Sequence, residues 1–140
     1  MCGIFGHFDP RGADPALVER MAQRLAHRGP DGYGAYHAGA LAFGAGRLAI
    51  IDLAAPAGPI FNEDRRVGVV YNGEVYNFRD LRRTLEAAGH TFATGTDTEV
   101  IVHGYEEWGD EVITRLRGMF ALCLYDSHRE RLLLARDRLG

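Results

Sequence analysis

A chain of 140 residues fits one domain, and a composition of 46% hydrophobic and 25% charged residues gives it enough apolar side chains for a core of its own. Its formal charge of -3 supplies no basic surface for phosphates, and no apolar run nears the roughly 20 residues that span a bilayer, so neither nucleic acid nor membrane is an expected partner. The N-terminus lacks the basic start and long apolar stretch of a signal peptide, which makes the cytoplasm the expected compartment.

Gly3 to Phe8 alternates small and apolar residues in a β-prone run, so the chain opens on a strand with Cys2 at its exposed tip. Asp14 before Pro15 reads as the N-cap and first-turn proline of a helix, and Leu17, Val18, Met21 and Leu25 keep helical spacing to about Ala26. The stretch His27-Arg28-Gly29-Pro30-Asp31-Gly32 is too rich in turn formers to continue it. Short strands are expected at Tyr33 to His37 and Leu41 to Phe43, with breaks at Gly39, Gly44 and Gly46. The β-branched run Arg66 to Tyr71 is expected to end at Asn72-Gly73, the strongest short turn signal in the chain. Asn77 should cap a helix with Phe78, Leu81, Leu85 and Ala88 on one face and Gly89 at its end. Thr96 and Glu99 have capping-box spacing for a helix carrying Val100, Ile101, Tyr105 and Trp108, and a short helix should run from about Asp110 to Arg117 before Gly118. Met119 to Asp126 and Arg131 to Arg136 read as a hairpin covered on both faces. Such strands need a layer on either side. The expectation is an α+β fold of stacked antiparallel sheets with helices outside, one domain over residues 1–140, and a fragment of something longer because the chain stops straight after the hairpin.

Loss of Met1 would make Cys2 the N-terminus, placing a nucleophile and a base on one residue. A thiol with a reference pKa of about 8.5 is only about 3% thiolate at pH 7, whereas an α-amine near 7.7 to 8.0 is already on the order of a tenth neutral and can take the thiol proton. Attack on a carbonyl then needs oxyanion donors. Asn72 has a side-chain amide and Gly73 an unshielded N–H if it sits in a tight turn, although the pair also fits a plain type I′ hairpin turn. Arg47, a lone cation among small and apolar residues, suits a bidentate carboxylate contact or is a surface arginine. Asp97, at an expected helix start, is a capping residue or an acceptor for an ammonium, as Glu74 also is. Cys123 lies mid-strand and reads as a small core residue. The histidines at 7, 27, 37, 90, 103 and 128 show no HExxH or Cys/His zinc spacing, so no metal site is expected.

Met1-Cys2-Gly3-Ile4-Phe5-Gly6, His27-Arg28-Gly29-Pro30-Asp31, Arg47-Leu48-Ala49-Ile50-Ile51-Asp52, Tyr71-Asn72-Gly73-Glu74-Val75-Tyr76-Asn77, Thr96-Asp97-Thr98-Glu99 and Gly118-Met119-Phe120-Ala121 occur together and in order. This set resembles the N-terminal glutaminase domain of the glutamine-dependent asparagine synthetase family, class II amidotransferases of the N-terminal-nucleophile (Ntn) hydrolase superfamily. The resemblance covers essentially the whole chain. It implies a four-layer αββα sandwich, the Ntn-hydrolase fold, here truncated at its C-terminal edge, and glutamine hydrolysis through a γ-glutamyl thioester on Cys2. It further implies Asn72 and Gly73 as the oxyanion hole, Arg47 for the glutamine α-carboxylate, Asp97 and Glu74 for its α-ammonium, and backbone near Ile50 as pocket wall. No cofactor is implied for this domain. ATP and Mg²⁺ belong to an absent C-terminal synthetase domain that amidates aspartate with the liberated ammonia; a sugar, peptide or β-amino acid acceptor, or a non-catalytic regulatory remnant, are the alternatives. A homodimer is compatible with this reading. Ala45 stands where family members often carry histidine, and the Leu53 to Ile60 loop is a residue shorter, with Gly58-Pro59 where Gln-Pro is usual; both departures fall on the pocket wall. His27 and Arg28 are expected to order the loop over the pocket, and His7 to be structural.

Overall fold

The computed structural model describes residues 2–48, 52 and 55–139. Among them, strands β1 (Gly3–Phe8), β2 (Tyr33–Ala38) and β3 (Leu41–Gly46) form an antiparallel sheet in the order β1-β3-β2. Strands β4 (Ile60–Phe61), β5 (Val67–Val75), β6 (Gly118–Asp126) and β7 (Arg131–Arg136) form a second, in the order β4-β5-β6-β7. Helix α1 (Pro15–Arg24) covers the first sheet, while α2 (Phe78–Ala87), α3 (Glu99–Trp108) and the single turn α4 (Val112–Arg115) cover the second.

Side-chain alternation along the strands dictates this layering. In β3, Leu41, Phe43 and Ala45 point toward Val70 and Cys123 of the other sheet, and Ala42 points the opposite way, against Val18 and Ala22 of α1. In β5, Val67, Val69, Tyr71 and Val75 pack under the helices with Leu85, Val100, Ile101 and Val112, while Val70 fills the space between the sheets. The order of layers is therefore helix, sheet, sheet, helix, the αββα sandwich that the resemblance implies.

Several local expectations are corrected. Gly44 and Gly46 do not break β3; they lie inside it, because a Cβ on Gly44 would meet Gly34 O and the Phe5 ring, both at 2.6 Å. Gly39, with φ of 55°, does make the β2–β3 turn. α1 stops at Arg24, capped at its start by Asp14 accepting from Ala16 N, and residues 26–28 form a 3₁₀ turn. Thr96 and Glu99 form no capping box: Thr98 holds the N-cap position, and Glu99 reaches back to the N–H groups of Ala93 and Thr94 at 2.7 Å each. Asn77 holds the N-cap position of α2 as expected, but its side chain makes no capping bond, because its amide bridges Arg115 O and Arg117 N. The helix expected from Asp110 to Arg117 is a 3₁₀ turn followed by α4, and Gly118 already belongs to β6. The hairpin is covered on β6 only; on β7, Leu134 is 74% exposed. No helix among the described residues is long and apolar enough to cross a membrane.

The largest correction concerns Asn72-Gly73. No turn is there: β5 continues to Val75, pairing Asn72 with Ala121 and Gly73 with Phe120. Turn propensity gives way because the space beside Gly73 admits no side chain. A Cβ there would stand 2.1 Å from Met119 O and 2.7 Å from Phe120 Cα. Glycine serves here for close strand approach.

Candidate active site

Cys2, Arg47, Asn72, Gly73, Glu74 and Asp97 all line one cavity of about 120 Å³ at the end of the sandwich where β1 begins and β5 ends. Ile50 lies outside the described residues. Gly3 pairs with Gly46, so Cys2 sits one residue beyond the strand, opposite the continuation of β3. Its sulfur is held by Leu48: Leu48 N–H donates to Sγ at 3.4 Å, and Leu48 O lies 3.8 Å away as acceptor for the thiol.

The 27–32 loop fixes the same corner. Gly29 passes so close to β3 that a Cβ would meet Gly46 C at 2.3 Å and Arg47 N at 2.5 Å. Asp31 N bonds Arg47 O, Arg47 N bonds Gly32 O, and the Arg28 guanidinium donates to Cys2 O at 3.3 Å. Arg28 thus holds the Cys2 backbone rather than the loop it was expected to order, and His7 accepts the Asp14 N–H at 3.1 Å, a structural contact.

Strand parity decides where the Gly73 N–H points. In an antiparallel sheet the N–H and C=O of one residue face the same neighbour, and successive residues alternate. Phe120 gives both its groups to Asp137 on the β7 side, so Gly73, directly opposite, does not exchange hydrogen bonds with it. Tyr76 N bonding Arg117 O, and Val75 N bonding Asp97 Oδ2, obey the same alternation. Gly73 N–H therefore faces the β4 side of β5, where β4 reaches only Gly68 and Val69. That edge opens on the cavity. The donor which the turn was expected to expose is instead exposed by a strand edge.

The cavity carries a cation and two carboxylates. Arg47 is held by its guanidinium donating to the carbonyls of Asp52 and Ala55, and Asp52 in turn accepts Gly95 N at 2.7 Å. Asp97, 7% exposed, accepts Val75 N at 2.8 Å; burial pushes its carboxyl above the usual carboxylate range, against the lowering effect of that bond. Burial and then the Asp97 charge raise Glu74 as well, and burial with both acids raises the Tyr71 phenol. The Tyr71 hydroxyl, near Asp97, and Asn72 Oδ1 are buried without a hydrogen bond of ordinary geometry. A zwitterion entering here would offer its ammonium to two carboxylates with no cationic partner among the described residues, and its carboxylate to Arg47. Cys123, by contrast, is packed between the sheets and pushed up to about 11 by burial, which leaves it inert.

The sequence missed Leu48 and Tyr71. Leu48 acts through its backbone, which no residue type announces; Tyr71 could have been suspected from its place beside Asn72 in the same strand. Ala45 and Gly58 do line the cavity, where the two departures were expected to fall.

The description "Glutamine amidotransferase domain" fits a family model that matches residues 1–140. The chain belongs to that family. It is 45% identical over 143 residues to the glutamine-hydrolysing asparagine synthetase of Sandersonia aurantiaca, and 40% over 145 residues to asparagine synthetase 1 of Bacillus subtilis. All of this amidotransferase domain is covered in both cases, but it spans only 27% and 23% of those relatives. Two solved structures share the fold at 20% identity. The allosteric regulatory enzyme of purine biosynthesis superposes with a TM-score of 0.81 over 100% of the domain and 38% of its own chain, and glutamine phosphoribosylpyrophosphate amidotransferase from B. subtilis with 0.76 over 98% and 37%. The αββα architecture is thus that of the glutamine amidotransferases.

Proposed function

We propose that this domain hydrolyses glutamine to glutamate on Cys2 and passes the ammonia to an ATP- and Mg²⁺-dependent synthetase domain that amidates aspartate. The observation that carries the reading is the shared cavity: a thiol gripped by Leu48, an open strand-edge N–H at Gly73, and an amino-acid clamp of Arg47 against Asp97 and Glu74. The relatives' names supply the acceptor chemistry, and no residue of this domain is assigned to ATP or Mg²⁺.

Removal of Met1 frees the Cys2 amine. That amine takes the thiol proton as Sγ attacks the side-chain amide carbon, and the carbonyl oxygen becomes an oxyanion bound by Asn72 Nδ2–H and Gly73 N–H. Collapse breaks the C–N bond, and the amide nitrogen leaves as ammonia with the proton returned by the Cys2 ammonium. Water then attacks the thioester, the amine accepting its proton. The C–S bond breaks, the sulfur takes that proton back from the ammonium, and glutamate departs. Arg47, Asp97 and Glu74 hold the substrate's other end, which makes the attack effectively intramolecular.

Glutamate release from glutamine tests this directly. Cys2→Ala should lower turnover by roughly 10⁴-fold or more with an unchanged melting temperature, and retained turnover would refute the assignment. Intact mass should show loss of Met1 and one adduct on Cys2 after treatment with an electrophilic glutamine analogue.

A further inference from the structure

Outside the cavity, where α3 meets the segment after α2, two histidines thirteen residues apart in sequence come together. His103 is 1% exposed, and its ring centroid lies 5.2 Å from that of His90, which follows Gly89 beyond α2. One ligand atom from each of His90, His103 and Glu106 falls within 4.8 Å of the others. His103 Nδ1 is 3.2 Å from Glu106 Oε2, and His90 Nδ1 is 3.8 Å from the same oxygen. Donor atoms about 2.1 Å from a tetrahedral ion stand roughly 3.4 Å apart, so these separations already approximate a coordination shell.

The surroundings are arranged for a cation. Glu99, 2% exposed, lies 3.5 Å from His103 Nε2, the nitrogen turned away from Glu106. A carboxylate behind a histidine fixes the tautomer that leaves the other nitrogen as a ligand. Glu99 is itself anchored, accepting Ala93 N and Thr94 N at 2.7 Å each and the Thr94 hydroxyl at 2.6 Å, which fixes its carboxylate behind the His103 ring. Asn62 Nδ2 binds Glu106 Oε1 at 2.7 Å, which aims the remaining oxygen at the two rings. Glu63 and Glu107 also approach, at 3.8 Å from His103 Nδ1 and 3.4 Å from His90 Nε2. Four carboxylates thus face two imidazoles, and among the described residues no arginine pairs with any of the four.

We propose that His90, His103 and Glu106 form a structural site for a zinc-like divalent cation, with Glu99 and Asn62 as orienting partners and the fourth position open to water or Glu63. Two imidazoles and a carboxylate are a ligand set suited to such an ion. The cation ties residue 90 to α3 and so stiffens the 89–98 connection that carries Asp97 and Thr98 into the active cavity. The rival state is an imidazolium at His103, clasped between Glu99 and Glu106 without metal.

Because a free thiol such as Cys2 can also take up these metals, Zn²⁺ and Co²⁺ titrations are run on the metal-stripped chain and on Cys2→Ser. One ion per chain, binding kept in Cys2→Ser, four-coordinate visible bands with Co²⁺, and a Zn²⁺-raised melting temperature are expected. His90→Gln and Glu106→Gln, both on partly exposed side chains, should each weaken Zn²⁺ at least about tenfold while the metal-free melting temperature holds. The proposal is overturned by no stoichiometric uptake, by binding lost in Cys2→Ser but untouched in the other two, or by ring ¹⁵N shifts showing His103 doubly protonated at saturating Zn²⁺.

Discussion

The two sheets share one cavity but are built from different residues. β1 to β3 are rich in glycine and alanine, and their outer face rests on one helix through Phe5, Val18, Ala22 and Ala42. β5 and β6 carry β-branched and aromatic residues, and their outer face buries Val69, Leu85, Val100, Ile101 and Val112 at 0% exposure beneath α2, α3 and α4. Stabilisation follows apolar area removed from water, so the second sheet holds most of it. Cys2, the proposed nucleophile, belongs to the lightly packed sheet, and the proposed oxyanion donors Asn72 and Gly73, with Glu74 and the Asp97 contact at Val75, belong to the heavily packed one. Turnover would therefore depend on how the end of β3 is set against the end of β5; Gly29 and Arg28 fix the β1–β3 end itself, and the Arg47 guanidinium ties that end to the carbonyls of Asp52 and Ala55.

The sharpest break of this contrast is a methyl group added to each sheet. Gly73→Ala places its Cβ against main-chain atoms of Met119 and Phe120, neither of which can move without parting β5 from β6. The expected cost is at least about 3 kcal/mol of stability, with roughly a hundredfold or greater loss of glutaminase turnover. Gly46→Ala meets nothing nearer than Gly29 Cα at 3.5 Å and should stay within about 0.5 kcal/mol of wild type. Urea melts of both variants check this; equal midpoints would show that the close approach at Gly73 is not a constraint.

A gentler comparison removes the same atoms from both sides. Val100 in α3 and Val18 in α1 are 0% and 2% exposed, yet Val100 is locked among helices and sheet while Val18 lies under a lone helix free to settle inward. The cost of a core truncation depends on how far the site can collapse, so Val100→Ala should lose about 2.5 kcal/mol and Val18→Ala about 1. Chemical denaturation with matched slopes measures the difference, and the reverse order would overturn the assignment of stability to the second sheet.

What could be read from the sequence followed the same physics. Alternating apolar runs gave the strands, and Asp14-Pro15 and Gly89 gave helix ends, because these depend on local periodicity and on backbone groups within a few residues. Six of the seven candidate site residues meet in one cavity, since their residue types are few and chemically committed. What failed was decided by distant partners. Asn72-Gly73 has every local mark of a turn, and only the β6 backbone lying 2.1 Å from a hypothetical Cβ makes it a strand. Thr96 and Glu99 have the spacing of a cap, but the carboxylate is taken by Ala93, Thr94 and His103. The pairing of His90 with His103 has no sequence signature, because it depends on how α2 packs on α3.

The smallest effect separates binding from stability within the cavity. Asp97→Asn keeps an oxygen to accept the Val75 N–H but loses the charge that meets the substrate ammonium, so KM for glutamine should rise about tenfold with little change in kcat. Stability should not fall. Burial raises the Asp97 pKa on folding, so the folding contribution of its protonated form is present at low pH and is lost as pH rises through that raised value; asparagine does not titrate and forfeits nothing at pH 7. The same shift sets the direction of the pH profile. Protonation of Asp97 removes the ammonium's partner, and because its pKa lies above the usual range, wild-type KM should climb on acidification earlier than it would for a solvated aspartate. In Asp97→Asn that part of the climb should vanish, leaving the contribution of Glu74. A KM profile from pH 8 to pH 5 that has the same shape in both proteins would remove Asp97 from the clamp and leave Glu74 as its acidic arm.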